Sequence, residues 1–315
     1  MALSTTSPSV RSVQPGAVQQ PRRRLRLPFS SLAFMAPIVV VFLVLFVVPM
    51  GQSLYFSFTD FNGYVSNPKF VGFANYAQLF KDPSMLSALG YTVFYAVSTT
   101  VLVTATAIPL ALTLNRKFVG LNFVRSAFFF PAIPSVAVLG LVWGFILNPL
   151  GSGVLNSLIH SLTGLGPIPW LSQSTLAQLS TVAVTVWALT GWHAVLYLAY
   201  LQAIPADYYE VAKIDGASGW QSFRYITLPL LVPAMAVSQL LLMTNGLKVY
   251  DLPFTLTHGG PGFSTRTLTQ SLIEDGIAQS RVGAASALAV LFLIVVGLVV
   301  LGQMAISSAL QRKFS

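Results

Sequence analysis

Side chains able to make or break bonds are few in this 315-residue chain, and they are scattered. There are three histidines, His160, His193 and His258, eight carboxylates and no cysteine. The histidines fall in no HExxH spacing and the carboxylates in no catalytic pair, so neither a metal site nor general acid-base chemistry finds its groups. The lack of cysteine removes a thiolate nucleophile, a Cys-based metal site and a disulfide framework together. No G-x-x-x-x-G-K-[ST] loop is present to cradle phosphates, so any ATP used must be held by another chain. The expectation is a non-catalytic protein with no cofactor and no metal of its own.

What surrounds these residues explains their scarcity. The chain is 55% hydrophobic and 8% charged, with a mean hydropathy of +0.74, whereas soluble domains carry about 25% charged residues. Crossing the ~30 Å hydrocarbon layer takes roughly 20 apolar residues as helix, and a β-barrel shows ~10-residue alternating segments instead. The apolar runs here are long and do not alternate, which predicts an all-α integral membrane fold with six transmembrane helices. They are expected at about 29–48, ending at Pro49; 86–114, kinked at Pro109; 126–147, opened by Pro131 and Pro134; 176–203; 230–249, broken early by Pro233; and 282–308. Gly283, Ala284, Ala285, Ser286, Ala287 and Ala289 at the start of the sixth would let another helix approach closely.

A net charge of +9 would suggest nucleic acid in a soluble protein, but its distribution excludes that partner. Twelve of the seventeen Lys and Arg, among them Arg22, Arg23, Arg24, Arg116, Lys117, Lys213, Arg224 and Arg312, fall on one side of the predicted spans. Lys69, Lys81, Lys248, Arg266 and Arg281 fall on the other. That bias places both termini in the cytoplasm of a multi-pass protein in a bacterial or archaeal cell (inner) membrane. Residues 1–28, rich in Ser, Gln, Pro and Arg, read as a disordered basic tail touching membrane lipid, and 29–315 as the six-span domain. Asp60, Asp82, Asp207, Glu210, Asp215, Asp251, Glu274 and Asp275 all lie outside the spans or at their edges. An ion-coupled carrier would place such groups near the midplane.

Between spans four and five, residues 204–229 form a polar, helix-forming island. Pro205 and Asp207 signal a helix start, Gly216 and Gly219 a break, and Trp220 to Tyr225 a second short helix that Pro229 turns back toward the membrane. Ala212, Ile214, Ala217 and Trp220 give such a knob an apolar surface to insert in a groove, while Asp207, Glu210, Asp215 and Arg224 set polar register. The alternative is a hairpin that only connects two spans.

The spacing Glu210-x-Ala212, three residues, Gly216, nine residues, Ile226-x-Leu228-Pro229 resembles the EAA loop of binding-protein-dependent ABC importer permeases. Val211 stands where that family usually has Ala. Further segments, Phe70-Val71-Gly72-Phe73-Ala74-Asn75-Tyr76, Ile204-Pro205, Ile214-Asp215-Gly216-Ala217, Thr257-His258-Gly259-Gly260-Pro261 and Gly283 to Ala287, are similar to the carbohydrate-uptake branch. The resemblance implies a type I ABC importer permease fold whose coupling helix docks on an ATPase subunit through Glu210, Val211, Ala212, Asp215, Gly216, Ala217, Ile226, Leu228 and Pro229. It also implies two copies of a cytoplasmic ATPase, a second permease and an extracellular or periplasmic solute-binding protein.

Candidate solute-pathway residues follow from side-chain chemistry. Asn245, Lys248, Tyr250 and Asp251 at the outer end of span five offer amide, charge and phenol to a small-molecule solute, or else anchor the helix at the interface. Trp143, Trp187 and Trp192 would stack on a sugar face, or simply pack. The expected cargo is a sugar, oligosaccharide or sugar-like polyol. Glycerol phosphate or another non-sugar solute, and an ion-coupled secondary transporter, are the alternatives.

Overall fold

The computed structural model of the chain describes residues 29–150 and 153–314, so the expectation for the 1–28 tail lies outside the described residues. Five helices are long and apolar enough to cross a membrane: α1 (Phe34–Phe56), α3 (Pro83–Leu114), α7 (Ser174–Gln202), α9 (Gly219–Leu247) and α12 (Val282–Phe314). A bent pair, α4 (Leu121–Ala132) and α5 (Val136–Ile146), which meet at 95°, brings the number to six when the two are counted as one broken span. Shorter helices fill the connections: α2 (Ala74–Leu79), α6 (Val154–Thr163), α8 (Asp207–Ile214), α10 (Asp251–Thr257) and α11 (Leu268–Ile273). Among the described residues the only strand-like pairing is an isolated bridge between Thr59 and Phe70.

The prolines act differently from the sequence expectation, for two physical reasons. Pro49 does not end the first span and Pro229 does not turn the chain back; helix continues through both. Each is preceded by a π turn, Leu43–Val47 or Phe223–Thr227, in which the residue before the proline donates to the carbonyl five back, Val48 to Leu43 and Leu228 to Phe223. Widening the turn moves the backbone away from the pyrrolidine ring, which would otherwise strike the carbonyl four residues earlier. Trp220 to Tyr225 is therefore no separate helix but the beginning of α9. Pro233 does not break that span either, because Leu231, Val232 and Ala234 are buried around it and one missing hydrogen bond is tolerated where packing holds both flanks. Pro109 likewise sits inside an unbroken α3.

Span three is the exception. Pro131 falls in a 3-10 turn, Phe130–Ala132, and the chain bends before α5. The bend packs on α7 at Gly191, where an added Cβ would collide with the Phe128 carbonyl. No other residue leaves room for backbone at that distance.

The core is the contact of α3, α7 and α9. Val103, Ala107, Ala111 and Leu114 meet Ala194, Tyr197, Leu198 and Leu201, with Leu231, Ala234 and Leu242 closing the cluster. Lipid tails are as apolar as these side chains, so burial gives little net drive, and close packing with interhelical hydrogen bonds must hold the helices together. Polar rungs supply the bonds: Tyr91 to Thr181 at 2.7 Å and Tyr95 to Thr185 at 2.6 Å. Each is worth about 1 kcal/mol in such surroundings. His193 makes a third contact, Nδ1 to Ser238 Oγ at 2.8 Å, joining α7 to α9 as a packing hydrogen bond.

Candidate functional site

Two places assemble the residues singled out from the sequence. The first is the island. Helix α8 ends in a double bond pattern, Gly216 N–H to the Lys213 carbonyl at 3.2 Å and Ala217 N–H to the Ala212 carbonyl at 2.9 Å. This is a Schellman ending, and it requires a left-handed residue after the last turn. Gly216 supplies it at φ +76°, with open space around the missing Cβ, so backbone conformation and not crowding demands glycine there. The Ala-xxx-Gly spacing is thus a stop signal for the helix.

The next element starts at once. Ser218 accepts from the Gln221 N–H at 3.3 Å while Gln221 Oε1 accepts from the Ser218 N–H at 2.7 Å, a reciprocal cap at the first turn of α9. Tyr209 and Thr227 join their hydroxyls at 3.0 Å, fixing α8 against the π turn. Ala212 and Thr227 are buried in this contact and Ala217, Ile226, Leu228 and Pro229 are half-buried, while Glu210, Val211 and Asp215 stay exposed. Ile214, Trp220 and Tyr225 are 85%, 70% and 75% exposed, and Val211 adds to them. The knob is hydrogen-bonded inside and presents both apolar and charged side chains outside.

The second place is a cavity of about 400 Å³ at the far end of α9. Asn245, Lys248, Tyr250 and Asp251 all line it, as their proximity in sequence suggested. Its other walls come from three further elements: Tyr95 and Thr99 of α3, Val136 and Leu139 of α5, and Thr185, Ala188 and Leu189 of α7. Sequence reasoning missed these. The usable signal was Tyr91, Tyr95 and Thr99 at four-residue steps facing Thr181 and Thr185, a polar stripe inside apolar helices. Lys248 and Asp251 are exposed in the cavity and form no ion pair with each other.

The three tryptophans lie elsewhere. Trp143 and Trp187 meet edge to face at 5.3 Å between centroids. Trp187 lines a separate, largely apolar cavity of about 710 Å³ with Leu102, Phe128 and Pro131. Trp192 stands against His193, with centroids 4.7 Å apart.

A third polar group was not anticipated. Arg266, in the segment between α10 and α11, is buried, and its Nη2 lies 3.1 Å from both Glu274 and Asp275. Its Nη1 reaches Ser84 Oγ at 3.4 Å, tying this segment to the first turn of α3. Burial raises the Asp275 pKa above the usual carboxylate value, with the Arg266 charge opposing but not cancelling the shift.

Comparison with known proteins shows the family. The model of the binding-protein-dependent transport system inner membrane component family matches residues 103–313. The probable starch degradation products transport system permease protein AmyD of Thermoanaerobacterium thermosulfurigenes is 30% identical over 84% of this chain and 89% of its own length. The diacetylchitobiose uptake system permease protein NgcF of Streptomyces coelicolor is 31% identical over 91% of this chain and 86% of its own. A chain of a bacterial alginate ABC transporter, solved with an alginate pentasaccharide-bound periplasmic protein, superposes with a TM-score of 0.77 at 23% identity, covering 90% of this chain and 95% of that one. The fold is that of type I ABC importer permeases, and the chain belongs to the family of binding-protein-dependent transport system inner membrane components.

Proposed function

We propose that this chain is one permease of an ATP-driven importer for an oligosaccharide or similar polyhydroxylated solute. It works with a second permease, two ATPase subunits that bind the ATP, and an external solute-binding protein. The chain itself makes and breaks no bond. The observation that carries this reading is that one helix joins the two places. Helix α9 begins within the island at Gly219 and lines the cavity at Leu242, Asn245 and Gly246, a span of about 40 Å at 1.5 Å per residue. A push on the island is therefore delivered to the cavity wall without an intervening hinge loop.

The names of the relatives support carbohydrate as cargo, since one is named for starch degradation products and another for diacetylchitobiose. The cavity chemistry agrees. Asn245, Tyr250 and the paired hydroxyls of Tyr95 and Thr185 put amide and hydroxyl groups among apolar side chains, with Lys248 and Asp251 at the same wall, a mixture that suits a sugar ring. A phosphorylated polyol would use Lys248, but Asp251 in the same cavity offsets that charge. The charge bias supports a cytoplasmic position for the island and both termini, where the ATPase would meet it.

The test is ATP-dependent uptake by vesicles holding the complete complex, with maltodextrins, chito-oligosaccharides and glycerol phosphate compared as cargo. Uptake of an oligosaccharide that stops when the ATPase is omitted supports the reading. Uptake driven by an ion gradient without the ATPase contradicts it.

A further inference from the structure

Helix α6 lies at the opposite end of α7 from the island, and its surface is built for different surroundings. Val154, Leu158 and Leu162 follow one another at four-residue steps, and each is more than half exposed, as is Leu165 just beyond the helix end. At about 100° per residue the three cover ~80° of arc. Leu155 and Ile159 extend the same apolar arc inward, Leu155 packing on the cluster that contains Leu139, Val184 and Ala188. The remaining face presents Ser157, His160, Ser161 and Thr163.

Asn156 fixes the rotation of this helix. It is buried, donates to the Asn148 and Ile168 carbonyls at 3.1 and 3.0 Å, and accepts from the Ile168 N–H and the Trp170 indole N–H, both at 3.0 Å. The exposed apolar stripe is thus held outward by a saturated amide, so the helix is not free to roll it under.

Composition says what covers the stripe. From Ser126 to Ala206 there is no Asp, Glu, Lys or Arg, and this includes the whole connection between α5 and α7. The other two connections at this end carry charge: Asp60, Lys69, Lys81 and Asp82 in one, Asp251, Arg266, Glu274, Asp275 and Arg281 in the other. A surface that docks a soluble protein uses charge for steering and register, and those two connections have it. The connection holding α6 has none.

We propose that α6 is an interfacial helix, lying in the leaflet opposite the island with Val154, Leu158, Leu162 and Leu165 in contact with lipid. Its apolar arc sinks ~5–10 Å into the boundary between headgroups and acyl chains, as amphipathic helices do. Ser157, His160 and Ser161 face the headgroups. Because no charge is involved, the contact depends on acyl chains and not on anionic lipid. The helix holds the ends of α5 and α7, two walls of the cavity, at fixed depth, so motion arriving from the island pivots about them.

The absence of native cysteine makes the test clean. Leu158→Cys, Leu162→Cys, Ser157→Cys and Ser161→Cys each take a single nitroxide in the full-length chain. The labelled protein, with its copurifying subunits, is placed in vesicles of phosphatidylethanolamine and phosphatidylglycerol. Collision of the label with oxygen and with a water-soluble nickel chelate is read by electron paramagnetic resonance. The expected result is a reversal between faces, oxygen dominating at 158 and 162 and nickel at 157 and 161. Nickel dominating at all four positions overturns the proposal. So does exclusion of both reagents at 158 and 162, which would mean that a second permease or the solute-binding protein covers the stripe.

Discussion

The island and the Arg266 segment use the same kinds of side chain to opposite ends. Asp207, Glu210, Lys213, Asp215 and Arg224 of the island are exposed and form no ion pair among the described residues. Arg266 is buried between Glu274 and Asp275 and reaches Ser84 on a distant helix. Exposed charges beside exposed Ile214 and Trp220 suit the partner surface proposed for the island, whereas buried Arg266 and Asp275, with half-buried Glu274, form a clasp within the chain. The difference teaches that polar residues in a membrane protein divide by burial into those that face other molecules and those that hold the fold.

The comparison breaks most visibly at the clasp. Arg266→Met leaves Glu274 and Asp275 without their cation, and removing one partner of a buried pair costs about 3 kcal/mol. Thermal unfolding in detergent should show that loss, and adding Glu274→Gln with Asp275→Asn should recover much of it. A cavity substitution should behave otherwise. Asn245→Ala removes a hydrogen-bonding group from the cavity wall, so uptake should fall roughly tenfold, matching a bond worth about 1.4 kcal/mol, while thermal stability stays within error.

The island gives a smaller and more selective effect. Gly216→Ala forces a Cβ into left-handed backbone at a cost of about 1 kcal/mol, confined to the end of α8. Uptake and ATPase association should weaken with little change in global unfolding. Gly216→Asn should be milder, because Asn tolerates that conformation. The smallest effect is electrostatic. The Asp275 pKa is raised in the folded chain, so the folded state holds its proton more firmly than the unfolded state does. The contribution is full below the ordinary carboxylate pKa and is lost as pH rises through the folded value. Unfolding of the wild type should therefore shift upward on mild acidification by an increment that Asp275→Asn lacks.

Span number, the polar island and the broken third span were legible because each rests on local pattern: run length, charge placement and paired prolines. The fate of single prolines was not. Pro49, Pro229 and Pro233 lie in continuous helix because π turns or buried neighbours absorb them, and neither can be read from the proline itself. The cavity was half legible. Asn245, Lys248, Tyr250 and Asp251 lie within seven residues, but Tyr95, Val136 and Thr185 reach it only through packing of helices far apart in sequence. Arg266 gave no signal, since its burial depends on two carboxylates and a serine that the fold brings to it. Gly216, by contrast, was marked by its spacing, and its backbone angle supplies the reason.

The central claim is that the island is a handle held by an ATPase. Cross-linking tests it most directly, from exposed positions and not from buried Ala212. Val211→Cys or Ile214→Cys, in otherwise cysteine-free chain, is treated in intact membranes with a short bifunctional reagent while uptake is monitored. Capture of a nucleotide-binding subunit, with a yield that changes when ATP is added, is the expected result. Membranes that take up solute while neither position ever captures such a subunit would contradict the account.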